Sequence, residues 1–236
     1  MSQSYYVPGE QRAAKVNELF AGIARRYDLL NDLQSLRLHR RWKRRLIHLA
    51  GPRPGLRALD VCCGTGDLAL LLARGGAETV GLDFSGAMLE VAAARSQSSE
   101  GIRFVRGDAQ RLPFEDNSFD IVTVGYGLRN LASWEAGLRE MQRVARPGGR
   151  LAVLDFGKPD NPLWRALYFG YLRLLVPLLG GAFGGSASAY AYIHESLAHY
   201  PAQPVLAVRM RQLGLANVGV INLLGGVMAI HRAEKR

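Results

Sequence analysis

Three carboxylates in this 236-residue chain stand where a bound nucleoside could use them. Asp60 opens the run Asp60-Val61-Cys62-Cys63-Gly64-Thr65-Gly66-Asp67 at the end of an apolar stretch. Gly64 and Gly66 allow a tight turn and let a ligand approach backbone amides. The helix after this loop turns its positive end toward a carboxylate or phosphate. Gly64, Gly66 and Ala69 also satisfy the spacing of a dinucleotide loop, so the glycines alone fit NAD as well as other nucleosides. Asp83, followed by Phe84, ends a second apolar stretch, where an acid accepts from ribose hydroxyls. Asp108, followed by Ala109, comes after a third, where an acid can accept from an adenine amino group. Asp108 counts against NAD, and so does Asp60: a carboxylate there is poorly placed beside a pyrophosphate. It suits a cationic ammonium, as on the amino-acid end of S-adenosylmethionine (SAM).

Each acid taken alone has a plain structural reading: Asp83 a helix cap, Asp108 a turn, Asp60 a salt-bridge partner. Their order carries the argument, because all three sit at successive strand ends, where open α/β sheets bind ligands. The elements that must place them alternate. Strands are expected over 58–62, 79–83, 102–105, 120–124 and 150–155, with helices over 67–73, 85–95 and 133–145. Ser85 is the expected cap of the second of these helices. That alternation implies a parallel sheet with right-handed crossovers. Ahead of it, Val16, Leu19, Phe20 and Ile23 have helical spacing within 10–24. Tyr27–Asn31 is expected to break that helix, with Asp28 or Asn31 capping the next one. A second helix is expected over 38–49, stopped by the Gly/Pro cluster at 51–55. Near the C-terminus, 163–169 and 172–179 read as apolar helices and 202–213 as another. Residues 218–223 and 226–231 read as a hairpin around Leu224-Gly225. The expected fold is a class I, Rossmann-like α/β domain with a mostly parallel seven-stranded sheet. The whole of 1–236 forms one domain: a helical cap (1–50), a nucleoside-binding core (56–156), a helical insertion (160–200) and a terminal helix and hairpin (201–236).

Composition narrows the class further. No stretch of about 18 apolar residues exists to form a membrane span, and no signal peptide is read at the N-terminus. The two cysteines, Cys62 and Cys63, are adjacent. Neighbours rarely meet disulfide geometry, so a reduced, cytoplasmic protein is expected. No metal site is read. The net charge of +10 fits nucleic acid, an anionic membrane surface or acidic ligands, and does not choose among them. The basic run Arg37–Arg45 reads as a solvated helix face with Trp42, Leu46 and Leu49 turned inward; the alternatives are a membrane-surface or phosphate-facing role, with His39–Lys43 supporting the cap or facing lipid.

At the level of whole motifs the chain resembles the quinone C-methyltransferase family that makes menaquinone and ubiquinone. The resemblance is carried by 27–32 (Tyr-Asp-Leu-Leu-Asn-Asp), 39–43 (His-Arg-Arg-Trp-Lys), the double-cysteine glycine loop and 125–130 (Gly-Tyr-Gly-Leu-Arg-Asn). Residues 190–196 and 225–231 fit as well. Within the family the chain is most similar to the demethylmenaquinone-methylating members. The resemblance implies methyl transfer from SAM to a ring carbon of a prenylated naphthoquinol. It implies SAM contacts at Thr65, Asp83, Asp108 and Ala109. Where the family has a contacting serine, this chain has Gly125, which loses the side-chain hydroxyl.

Arg129 and Asn130 follow the fourth strand, next to the expected methyl position. Arg129 is expected to stabilise a developing phenolate and Asn130 to orient the acceptor oxygen or a water. The plain alternative is an arginine paired to a helix carboxylate. Tyr126, Tyr190, Tyr192 and His194 are expected in the acceptor pocket, with His194 a candidate base. Tyr27 is expected to close over SAM. The apolar 163–183 segment reads as core or as an entrance for the prenyl tail, facing an anionic bilayer at the inner face of the cell membrane. A homodimer is left open. Alternative acceptors are the benzoquinol precursor of ubiquinone or a phytyl-naphthoquinone; competing functions are a methyltransferase for soluble phenols and one for RNA or protein. The second calls for aromatic platforms beside a basic groove or an Asn-Pro-Pro-Tyr-like clamp after strand four; Gly-Leu-Arg-Asn stands there instead, and no nucleic-acid partner is expected.

Overall fold

The computed structural model describes residues 10–97, 100–175, 196–197 and 199–236. Seven strands form one sheet in the order β3-β2-β1-β4-β5-β7-β6. They are β1 Arg57–Val61, β2 Glu78–Asp83, β3 Ile102–Arg106, β4 Phe119–Gly125, β5 Ala145–Phe156, β6 Leu215–Leu223 and β7 Met228–Lys235. Strands β1 to β5 run parallel, and β7 joins β5 antiparallel, with β6 outermost. This is the expected mostly parallel sheet with a C-terminal hairpin. The chain order reverses between β1 and β4, so the loops after these two strands flank the crevice in which such sheets hold ligands.

Strand β1 shows why the parallel strands read as continuous apolar runs. Ala58, Leu59 and Val61 are all buried, as are Ile121, Val122 and Val124 of β4. One face packs against helix α6 (Trp134–Val144) and α8 (Gln203–Gln212) through Leu138, Met141, Leu206 and Met210. The other packs against α3 (Leu38–Ala50) and α4 (Asp67–Arg74) through Leu46, Ile47, Leu68 and Leu72. A sheet covered on both faces leaves no solvent side to be polar.

Four local expectations are corrected. Tyr27–Asn31 is not a break: it opens a helix of its own, α2 (Tyr27–Ser35), joined to α1 (Glu10–Ile23) by a single 3-10 turn at Ala24–Arg26. Neither Asp28 nor Asn31 is a cap, because both lie inside α2; the N-cap places of α2 and α3 fall to Arg26 and Arg37. Ser85 takes the N-cap place of α5 (Gly86–Ser96) without a side-chain capping bond, and its N–H donates to Asp83 instead. The hairpin pairs Leu223 with Met228, so its connection is 224–227 rather than Leu224-Gly225 alone, and both strands are longer than expected. Last, the basic run of α3 is not a uniformly solvated face. His39 and Lys43 are buried, while Arg40, Arg41, Arg44 and Arg45 are exposed.

Helix α7 (Pro162–Gly170) is capped by the Asn161 side chain and continues as a π-helical turn over Tyr171–Leu175. Of the expected 172–179 helix, 172–175 belong to this turn and 176–179 lie outside the described residues. Two leucines adopt left-handed backbone: Leu36 (φ 48°), at the α2–α3 corner, and Leu224 (φ 47°), in the hairpin connection. A branched L-residue there costs about 1–2 kcal/mol, yet both side chains are exposed. Among the described residues no helix is long and apolar enough to cross a membrane.

Candidate functional site

The loop after β1 folds back on the tip of β2. Cys62, Gly64 and Gly66 all have left-handed backbone. The Gly64 N–H donates to the Asp83 carboxylate (2.7 Å), whose other oxygen accepts from Ser85 N–H (2.9 Å). Burial raises the Asp83 pKa above the usual carboxylate value, and these amide donors pull it back. A Cβ built on Gly64 would meet nothing within 4 Å, so this loop faces open space rather than protein.

That space is a cleft of about 120 Å³. Its walls include Gly64, Asp83, Phe84, Asp108, Ala109 and Gly125 from the strand ends, and Phe20 and Tyr27 from the cap. Asp108 Oδ1 accepts the Gln110 N–H (2.8 Å), which orients the carboxylate in its turn. Gly125 contributes backbone only. A side chain there would press on Leu68 of α4, at 2.7 Å from its Cδ1, so the missing hydroxyl has a packing reason. The donor and acceptor set fits a nucleoside with an amino-acid tail: carboxylates at two strand ends, exposed loop backbone and an aromatic edge. Replacing Asp83 with alanine is expected to weaken SAM binding about 10- to 100-fold, the scale of a lost hydrogen-bonded charge. Isothermal titration calorimetry measures it, and an unchanged Kd would remove Asp83 from the binding set.

Three expected contacts do not line this cleft. Asp60 is 1% exposed and sits beneath the loop. It accepts Thr123 Oγ1 at 2.8 Å through one oxygen, while the other has no hydrogen-bond partner among the described residues. Thr65 is buried, and its hydroxyl donates to Asp28 of α2 (2.9 Å). Gly66 backs onto Ala92 and Phe104, each 3.2 Å from where its Cβ would be, so its glycine serves helix–sheet packing.

The Thr65–Asp28 bond belongs to a latch between the cap and the loop. Arg95 of α5 donates to Asp28 (2.9 Å), to the Thr65 carbonyl (2.7 Å) and to Asp67 (2.5 Å). Lys43 of α3 donates to the other Asp67 oxygen at 2.8 Å. Burial alone would raise the Asp67 pKa, but Lys43 and Arg95 hold it well below the usual carboxylate range. Two cap helices are thereby tied to residues 65–67. No sequence motif signals this latch, because its partners lie 24 to 67 positions apart.

A second, larger cavity of about 650 Å³ adjoins the cleft. Phe20, Tyr27 and Tyr126 belong to the walls of both. Its lining is mostly apolar, from the cap helices, α7 and the β6–β7 connection. Tyr27 therefore stands where the two spaces meet. So does Tyr126, which has left-handed backbone (φ 62°) and packs edge-on against Phe156 at 5.9 Å.

Arg129 and Asn130 occupy the 3-10 turn Leu128–Asn130 after β4. Arg129 lines the large cavity and Asn130 the cleft. Arg129 Nη1 donates to Asp155 Oδ1 (3.0 Å) and to the Tyr126 carbonyl, and its backbone N–H donates to Asp155 Oδ2 (3.2 Å). Its guanidinium lies over the Phe156 ring at 4.6 Å. Asn130 Nδ2 donates to the same Tyr126 carbonyl at 3.1 Å. Among the described residues, the carboxylate that pairs with Arg129 stands at the end of strand β5, not on a helix. Burial raises the Asp155 pKa, and Arg129 opposes it. Sequence alone does not single out Asp155; its one signal is that of an acid ending a fifth apolar strand.

His39, also on the large cavity, is a neutral ring. Burial and then Lys43 lower its pKa to about 4. Tyr190, Tyr192 and His194 lie outside the described residues.

The chain as a whole is similar to proteins of known family. A profile of the ubiE/COQ5 methyltransferase family matches residues 8–235. A ubiquinone/menaquinone biosynthesis C-methyltransferase UbiE from Ectopseudomonas mendocina is 44% identical, spanning 97% of this chain and 92% of that protein. A demethylmenaquinone methyltransferase from Staphylococcus aureus is 39% identical, spanning 94% and 93%. Among solved structures, a SAM-dependent methyltransferase from Thermotoga maritima superposes with a TM-score of 0.68 at 19% identity, covering 93% of this chain and 99% of that one. That likeness speaks for the fold, and the near-complete match of the profile speaks for more: this chain belongs to the ubiE/COQ5 methyltransferase family.

Proposed function

We propose that the chain methylates a ring carbon of reduced demethylmenaquinone, giving menaquinol, with SAM as methyl donor. The observation that carries this reading is the pair of adjoining spaces. A small cleft edged by the Asp83 and Asp108 carboxylates and a large apolar cavity share Phe20, Tyr27 and Tyr126, with Asn130 on one side and Arg129 on the other. A volume of about 650 Å³ lies within the usual range for small-molecule sites. Its apolar lining suits a naphthalene ring with the start of a prenyl tail.

When bound, SAM supplies an electrophilic methyl that needs no further activation. Asp83, Asp108, Ala109 and the Gly64 backbone would hold it, with Phe84 and Tyr27 covering it. A ring C–H bond is replaced by C–CH3, so S-adenosylhomocysteine and one proton, taken up by water, leave; the protein's remaining task is to make the ring carbon nucleophilic and to hold it in place. Arg129 stays protonated, so it is suited to stabilise an oxyanion on the acceptor rather than to remove a proton. Asp155 and the Tyr126 carbonyl fix its guanidinium, which lowers the cost of reorganisation. Asn130 holds the same carbonyl and so sets Tyr126 between acceptor and donor. The tail of such an acceptor dissolves in the bilayer, so the enzyme works as a cytoplasmic protein that meets the membrane surface transiently.

Turnover of labelled SAM on reduced demethylmenaquinone, against a demethoxy-benzoquinol analogue, tests the reading. Methylation of the naphthoquinol is expected. The 44% identity to a protein named for both ubiquinone and menaquinone synthesis favours acceptance of the benzoquinol as well. Activity confined to water-soluble phenols would overturn the proposal.

A further inference from the structure

The mouth of the large cavity carries more exposed apolar surface than its enclosure requires. Leu36 is 83% exposed and Leu224 52%, and both line the cavity. Leu167 and Trp164 of α7 do the same, and Leu163 and Leu174 add exposed side chains on either side of them. These residues come from three separate tips: the α2–α3 corner, α7 with its π turn, and the β6–β7 connection. Hydrogen bonds hold the tips together. Tyr171 Oη donates to the Gln34 carbonyl at 2.8 Å, and Trp164 Nε1 donates to the Leu224 carbonyl at 3.1 Å.

Backbone strain is the second observation. Leu36 and Leu224 are left-handed, and each is a bulky residue at the apex of its tip. Asparagine or glycine would sit there with less strain. A leucine kept in a costly conformation, with its side chain in water, gains little from the fold itself. Charge is the third. Between Ala24 and Arg45 the chain carries eight basic and two acidic residues. Arg37 and Arg41 are exposed beside the first tip, and Arg173 beside Leu174.

We propose that this rim is the surface by which the protein docks on an anionic lipid bilayer, with Leu36 and Leu224 inserted as paired wedges at the cavity mouth. The apolar tips enter the headgroup boundary, and the flanking arginines pair with lipid phosphates. The cavity then opens where a prenylated acceptor is dissolved. This deepens the proposed function and rests on it for the identity of that acceptor, though not for the docking itself.

The test is flotation of the full chain with vesicles of phosphatidylcholine alone or mixed with phosphatidylglycerol. The wild type is expected to float with the mixed vesicles, and less with neutral ones or at high salt. The Leu36→Asn/Leu224→Asn variant is expected to lose about tenfold or more in partitioning, the scale of withdrawing two apolar side chains from the interface. Its Tm should match or exceed the wild type, because asparagine tolerates left-handed backbone. SAM affinity should not change, since neither residue lines the cofactor cleft. Unchanged partitioning of the variant would overturn the proposal. So would a Tm well below wild type, which would make the leucines packing elements. A wild-type dimer that ignores vesicles and is dissociated by the two substitutions would overturn it too, by assigning the rim to a second copy. Vesicle binding is read without acceptor, so failure to methylate demethylmenaquinol would leave this result standing.

Discussion

Replacing Arg129 with alanine is expected to lower kcat about 100- to 1000-fold, the effect of removing one donor aimed at a developing oxyanion. The Kd for SAM should change little, because Arg129 lines the acceptor cavity and not the cofactor cleft. The same substitution carries a structural penalty that position in the sequence does not reveal. Arg129 and Asp155 are both buried and ion-paired at 3.0 Å. Removing one partner of such a pair costs about 3–5 kcal/mol, since the other charge stays in a dry site. A fall in activity alone would therefore be ambiguous. The Arg129→Ala/Asp155→Asn double variant resolves it. Without the stranded carboxylate it should recover much of the stability in urea unfolding, but none of the turnover. A double variant that turns over at close to the wild-type rate would reduce Arg129 to a structural residue.

Asp60 sets the second large effect, and it is one of pH. Burial raises its pKa from 3.8 to about 7, partly offset by the Thr123 hydroxyl and the Lys43 charge. A carboxyl whose folded pKa lies above its unfolded one binds more protons in the native state between the two values. Stability from this group therefore falls as pH rises from 3.8 to about 7, and is flat above. At about 1.4 kcal/mol per unit, the span is at most about 4 kcal/mol. Asp60→Asn should abolish this slope and make the protein more stable than wild type at pH 8, with the new amide oxygen still accepting from Thr123. Urea midpoints from pH 4 to 8 measure it, and parallel curves for the two proteins would refute the assignment. The same variant addresses the sequence expectation that Asp60 takes the SAM ammonium. Buried beneath the loop, Asp60 is expected to leave the Kd for SAM nearly unchanged when replaced. A loss of about 100-fold, near 2.7 kcal/mol, would restore it as a direct contact.

The order of the strand ends was legible in the chain itself. Alternating apolar runs and amphipathic helices are encoded within segments of about ten residues. Once the strands run parallel, ligands belong at their C-terminal ends. That is why Asp83, Asp108, Ala109, Tyr126, Asn130 and the Gly64 backbone lie on one cleft, and why Arg129 lies beside it. What the tertiary structure decided is which of these groups face the open space and which face protein. Thr65 turns to Asp28, 37 positions away, and Arg129 to Asp155, 26 away. Asp60 turns inward to Thr123, 63 away. His39 and Lys43 belong to a run that reads as solvated, yet both are buried. No local periodicity encodes such pairings. They exist only once the crossovers and the cap bring distant segments together, where burial makes an unpaired charge too costly to leave without a partner.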